Sequence, residues 1–188
     1  PAVACVVVDA SHPRPCVRYA AVPMLPWRTL HIGGLSKPAL LARLHAANVR
    51  LNPLAESLFA DARFVTAPTP SLVDIVQLTV ADLGLPDGGT FAELVAQATA
   101  RSLPLCPLEL APHLRLAWDD QPEGSAGQPP SQHCAPPGAV TVASAALDDD
   151  DTLPKGFYLR RIDGALWLRG YCSWDGHVWR GRDVFVFL

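Results

Sequence analysis

The chain carries none of the short signatures that announce nucleotide or metal chemistry. It has no G-x-x-x-x-G-K-[ST] and no G-x-G-x-x-G, so no glycine-rich loop is built to cradle a phosphate. Gly33-Gly34 precedes a helical pattern but is too sparse for that task. It has no H-E-x-x-H and no G-x-S-x-G, so neither a zinc-protease helix nor a nucleophile elbow can be placed. The 5 cysteines include no C-x-x-C, are odd in number and lie far apart, which argues against a disulfide framework and against a zinc ribbon. No apolar run approaches the length that crosses a membrane, and Val3–Val8 is too short for the core of a secretion signal. The expectation is a soluble, cytoplasmic protein with no cofactor, no metal and no membrane partner.

What is present is a core and an uneven charge. At 188 residues and 49% apolar, the chain is long enough for one domain and too hydrophobic to be disordered throughout. The net charge of −3 gives no reason to expect nucleic-acid binding. From Lys155 onward, however, 6 basic residues face 3 acidic ones, so this segment is basic on an otherwise acidic body. Such a patch suits a discrete anion or an acidic protein partner better than a long polyanion. Lysine is scarce, with only Lys37 and Lys155 beside the arginines; with the heavy use of alanine and proline, this suggests a bacterium with a GC-rich genome.

Pro1 to Thr29 is rich in X-Pro pairs, which block helix and central strand alike, and is read as an N-terminal arm with at most an edge strand at Ala4–Val8. A single domain spans residues 30–188. Ser36 with Pro38, and Asn52 with Pro53, cap two short helices. Val73–Val80 alternates as a strand, and Thr90-Phe-Ala-Glu93 is a capping box that opens a helix with an apolar stripe at Phe91, Leu94, Val95 and Ala98. That succession looks like half of an α/β unit. Pro107 and Pro112 speak against a helix farther on, and His113–Trp118 is predicted as a strand. Gln121 to Pro137 reads as a mobile loop, Ala139–Ala143 as a strand and Asp148–Asp151 as a solvated acidic run able to pair with the arginines of the Phe157–Tyr171 hairpin.

The strongest local signal is Phe157 to Tyr171. Asp163-Gly164 favours a two-residue hairpin turn, and that turn sets Ile162 opposite Ala165, Arg160 opposite Trp167 and Tyr158 opposite Arg169. One face then carries Phe157, Leu159, Leu166 and Leu168 as core. The other is a lattice of Tyr158, Arg160, Trp167, Arg169 and Tyr171, either a cation–π ladder or a platform for an anionic or planar small molecule. A second Asp-Gly pair, Asp175-Gly176, would make a further hairpin that brings Cys172, Trp174, His177 and Trp179 to one face, with His177 as a candidate ligand contact. Val184–Leu188 closes a meander. The fold class is thus α+β, with helices on a mostly antiparallel sheet.

A second constellation is Cys106-Pro-Leu-Glu109-Leu-Ala-Pro-His113, which places a thiol, a carboxylate and an imidazole within eight residues. Read as catalytic, Cys106 is a nucleophile with Glu109 and His113 as its acid–base partners. Read as structural, Cys106 is a small buried apolar group while Glu109 and His113 tie down a proline-rich connection. His133-Cys134 is a nominal metal pair in a loop that holds nothing rigid.

The phrases Leu51-Asn-Pro-Leu-Ala55, Val80-Ala-Asp-Leu-Gly84, Cys106-Pro-Leu-Glu-Leu-Ala-Pro-His-Leu-Arg-Leu116 and Gly156-Phe-Tyr-Leu-Arg-Arg-Ile-Asp-Gly-Ala-Leu-Trp-Leu-Arg-Gly-Tyr171 resemble a family of small bacterial proteins with no established activity, some carrying a helicase label. The likeness runs from about Leu40 to the C-terminus. It implies a single domain and supplies no site; the missing phosphate loop speaks against the helicase label. Two functions are therefore carried forward: a non-enzymatic binding module using the Arg/aromatic face, and a small hydrolase or transferase centred on Cys106, Glu109 and His113.

Overall fold

The computed structural model of the protein describes residues 25–124 and 135–188. Its elements run β1 (Arg28–Ile32), α1 (Lys37–Ala46), β2 (Arg50–Leu51), α2 (Pro53–Ala60), β3 (Ser71–Thr79), β4 (Gly89–Thr90), α3 (Phe91–Ala100), α4 (Leu110–Ala117), β5 (Val140–Val142), β6 (Gly156–Ile162), β7 (Ala165–Tyr171), β8 (Val178–Trp179) and β9 (Val184–Phe187). Seven strands form one sheet in the order β1-β3-β9-β5-β6-β7-β2, and β4 pairs with β8 in a separate ribbon. Only the β5–β9 and β2–β7 pairs are parallel, so the architecture is α+β with a mostly antiparallel, mixed sheet.

The sheet is covered on both faces where β9 runs. Val186 joins Ile75, Val142, Phe157, Leu159 and Leu168 in a core that also takes Leu40 and Leu44 of α1, Leu58 and Phe59 of α2, and Leu110 and Leu114 of α4. Phe185 and Phe187, pointing the other way because successive strand residues alternate, join Val76, Val80, Trp179 and the Leu94 and Ala98 stripe of α3. A strand buried on both sides reads as an uninterrupted apolar run, and Val184–Phe187 is one.

The caps form as the residue types require. Ser36 accepts from the Ala39 amide, Asn52 Oδ1 accepts from the Ala55 amide, and Thr90 and Glu93 satisfy each other's backbone amides at 3.3 and 2.8 Å. Removing the hydroxyl that caps α3 should matter: Thr90→Ala is expected to lower stability by about 1 kcal/mol in a urea titration.

Several expectations are corrected. His113–Trp118 is not a strand but most of helix α4. Pro112 is the third residue of that helix, where a backbone N–H has no intrahelical acceptor, so its missing donor costs nothing there. The strand and helix after Val73 are not half of a parallel unit: β9 lies between β3 and β5, antiparallel to the first and parallel to the second. The C-terminal meander is also corrected. The sequential antiparallel run stops at β5-β6-β7; β8 leaves to pair with β4, and β9 inserts between β3 and β5. Asp175-Gly176 does make a turn, with the His177 amide on the Trp174 carbonyl at 2.9 Å, but the segments flanking it do not pair with each other.

The arm ends earlier than residue 29, since β1 begins at Arg28 and Trp27 packs edge-on to Trp118 at 4.7 Å. The Ala4–Val8 strand and His133-Cys134 lie outside the described residues. The start of the 121–137 loop is pinned. Gln121 is buried, receives a hydrogen bond from the buried Arg115, and donates to the Gly138 and Leu159 carbonyls at 3.1 and 3.2 Å. The acidic run pairs with Arg63 and Lys155, not with the hairpin arginines: Asp148 lies 2.6 Å from Arg63 and Asp151 3.8 Å from Lys155. No helix among the described residues is long and apolar enough to cross a membrane.

Candidate functional site

The β6–β7 hairpin has the register its turn dictates: Ile162 faces Ala165, Arg160 faces Trp167 and Tyr158 faces Arg169. Asp163 and Gly164 both have positive φ, as a type I′ turn demands. Leu159 and Leu168 are fully buried, while Leu166, nearer the turn, is half-buried against the core. The opposite face, although continuous along the strands, divides into two unlike halves.

The half nearer the turn is covered. Gln121–Gly124 runs beside β6, with Glu123 bridged to Arg161 and the Gly124 amide on the Arg161 carbonyl at 3.2 Å. A side chain at Gly124 would sit 3.1 Å from Arg160 Nε, so this backbone packs directly on Arg160. Trp167, opposite it, is flanked by two guanidiniums, Arg50 at 5.7 Å and Arg169 at 4.9 Å from its ring centre. Here the lattice is a cation–π ladder, and Arg160 and Trp167 line neither of the cavities described below.

The other half opens into a cavity of about 300 Å³, lined by Tyr158, Arg169, Tyr171 and His177 together with Asn52, Thr141, Trp174 and Trp179. Four of the six ligand-binding residues expected from the sequence therefore meet in one concavity. Arg169 reaches it already braced, its guanidinium 4.9 Å from the Trp167 ring and 6.0 Å from that of Tyr158. Its buried Nε has no hydrogen-bond partner among the described residues. The rings stand edge to face: Tyr171 on Trp179 at 5.6 Å, His177 on Trp179 at 4.8 Å and on Trp174 at 5.1 Å. His177 is buried, whereas Trp174 is 44% exposed at the cavity rim. Burial pushes the Tyr171 phenol well above its ordinary pKa, so it stays a neutral hydroxyl.

Asn52 holds the cavity's shape. Its amide donates to the Gly170 carbonyl at 3.0 Å and accepts from the Gly170 amide at 2.7 Å, clamping the end of β7 to the start of α2. Asn52 was legible as a helix cap but not as a wall of the site, because its partner is 118 residues away. Trp174 and Trp179 were legible as ring neighbours of His177. Thr141 gave no signal at all.

A second cavity, of about 870 Å³, is lined by Arg28, Trp118, Asp120, Gln121, Glu123, Arg182 and Asp183 among others. Arg28 pairs with Asp120 across its wall at 3.2 Å, and Glu123 pairs with Arg161 outside it at 3.6 Å.

Cys106, Glu109 and His113 line neither cavity, and each is tied to a different stretch of backbone. The Cys106 thiol is buried against the Val186 carbonyl at 3.4 Å, and burial pushes its pKa up to about 12. Both Glu109 carboxylate oxygens accept from the Ala67 amide at 3.1 Å, and burial raises its pKa. His113 Nε2 accepts from the Gly33 amide at 3.1 Å; burial, with Arg43 nearby, lowers its pKa and keeps it neutral. Glu109 and His113 thus fasten α4 to the segments around residues 33 and 67, which are themselves joined by the Gly34 amide on the Ala67 carbonyl at 2.8 Å. A thiolate nucleophile needs a lowered pKa and access, and Cys106 has neither. Iodoacetamide is expected to label Cys106 in the native protein at pH 8 no faster than the protein opens, and His113→Ala should not slow that reaction directly. The sign for stability is that of a raised thiol. The contribution is complete below about 9, where the unfolded thiol titrates, and is lost as pH rises toward about 12.

Comparison of the chain with protein-family models, with curated proteins and with solved structures finds no match. The site is therefore read from its own residues.

Proposed function

We propose that this protein is a non-enzymatic binding module whose aromatic cavity takes a small molecule bearing an anionic or planar group. The observation that carries the reading is the convergence of Tyr158, Tyr171, Trp174, His177 and Trp179 around one braced guanidinium, Arg169. Arginine offers several donors in a flat fork that suits a carboxylate or a phosphate, and the rings favour a flat partner and limit water. A cavity of about 300 Å³ lies at the small end of the range for ligand sites, as do its few polar groups. The hydrolase or transferase reading has less support, because its thiol is buried and held protonated.

The test is a thermal-shift screen of planar and anionic metabolites, followed by titration of tryptophan fluorescence. A ligand at one hundred times its Kd should add about 2.7 kcal/mol of stability. That gain is expected to vanish in Arg169→Ala combined with Trp174→Ala, and to survive in Arg160→Ala. If no compound shifts the wild type and the double variant is merely less stable, the whole face is a structural ladder.

A further inference from the structure

We propose that the ligand is an aromatic monocarboxylate, a flat ring system carrying a single negative charge; this rests on the cavity reading above and narrows it. The first ground is charge. Among the described lining residues, Arg169 is the one permanent cation, and there is no carboxylate. Lys155, whose backbone amide donates to the Tyr171 carbonyl beside the cavity at 2.8 Å, has its ammonium engaged with the Asp148 carbonyl at 3.0 Å and with Asp151 at 3.8 Å. One guanidinium in a part-buried site balances one negative charge. A phosphate monoester or a diphosphate would bring further charge into an aromatic enclosure with nothing to meet it, and an unpaired buried charge is costly.

The second ground is the donor itself. The Trp167 ring lies 4.9 Å from the Arg169 guanidinium carbon and braces it where it lines the cavity. The flat guanidinium fork offers paired N–H donors that two carboxylate oxygens accept in parallel. The third ground is the wall. Tyr171 meets Trp179 edge to face at 5.6 Å and Tyr158 at a tilt at 6.5 Å, while Trp174 meets His177 edge on at 5.1 Å, so the enclosure offers both ring faces and ring edges to a flat guest. The cavity volume of about 300 Å³ suits a one- or two-ring acid better than a base with its sugar and phosphate.

The experiment is calorimetric titration of the full chain with benzoate, indole-2-carboxylate, benzamide, cyclohexanecarboxylate, phenyl phosphate and AMP. The expected result is that the two aromatic carboxylates bind at least tenfold more tightly than benzamide, which lacks the charge, and than cyclohexanecarboxylate, which lacks the plane. Phenyl phosphate and AMP should bind more weakly still. Arg169→Gln should remove at least tenfold of the benzoate affinity, and Arg169→Lys should restore only part of it, because lysine is a point charge and not a fork. Trp174→Ala, at the exposed rim, is the second variant should Arg169→Gln fold poorly, and it should weaken the aromatic acids selectively. Tighter binding of phenyl phosphate or AMP, or equal binding of benzamide, overturns the carboxylate assignment and leaves the cavity reading standing. Failure of every probe to bind at millimolar concentration overturns both.

Discussion

Gly170→Ala is expected to destabilise the protein by about 3 kcal/mol or more, at or beyond the upper end of ordinary overpacking. A methyl group at this position would lie 2.6 Å from the Leu54 carbonyl carbon, 2.7 Å from the Ala55 nitrogen and 2.8 Å from the Leu54 oxygen. All three are backbone atoms of the first turn of α2, and that turn cannot yield without breaking the Asn52 clamp on Gly170. The cost therefore falls on the joint between helix and hairpin that forms one wall of the cavity. Gly164, in the same hairpin, provides the contrast. Nothing lies within 4 Å of a methyl group there, and only its positive φ of 74° resists substitution. Gly164→Ala should cost about 1–2 kcal/mol, the ordinary penalty of a left-handed conformation. Urea midpoints of the two variants, measured side by side, check the ranking; equal midpoints would mean that α2 does not approach β7 so closely.

Phe157→Ala should cost about 3–5 kcal/mol, as expected when a buried ring is lost and the space cannot close. Phe157 is wholly buried and meets Phe59 at 5.6 Å and Phe64 at 6.0 Å, while those two rings meet each other at 5.4 Å. The trio comes from α2, the segment after it and β6, so removal of the Phe157 ring loosens all three. Phe157 lies on the face of β6 opposite Tyr158 and Arg169, so the folded fraction of Phe157→Ala should bind a cavity ligand with unchanged affinity. Denaturation and titration on the same sample separate the two effects. A loss of affinity in the folded state would show that the two faces of the hairpin are coupled.

The two candidate sites fared differently for a physical reason. The Arg/aromatic face depends on period-two alternation and on one turn, both local, so its members were legible and three of them, Tyr158, Arg169 and Tyr171, do meet at the cavity. Which half of that face stays open was not legible, because alternation treats Arg160 and Arg169 alike. The distinction comes from Gln121–Gly124, a distant segment that packs on Arg160, while Arg169 lines the cavity. Cys106, Glu109 and His113 looked like a constellation because they are close in sequence. In space each serves a different backbone stretch, and closeness along the chain says nothing about where side chains point once a helix intervenes.

What the sequence by itself determined is what neighbouring residues decide: the caps at Ser36, Asn52 and Thr90, the Asp163-Gly164 turn and the register it imposes, and the alternation that separates Leu159 and Leu168 from Tyr158 and Arg169. Each is settled by bonds or sterics within a few residues, which the unfolded chain already carries. What only the tertiary structure decided is everything that depends on long-range pairing: the insertion of β9 between β3 and β5, the departure of β8 to β4, the helix that accommodates Pro112, and the clamp of Asn52 on Gly170 that completes the cavity. Those choices turn on which apolar surfaces bury one another most fully, a comparison among distant segments that no local pattern encodes.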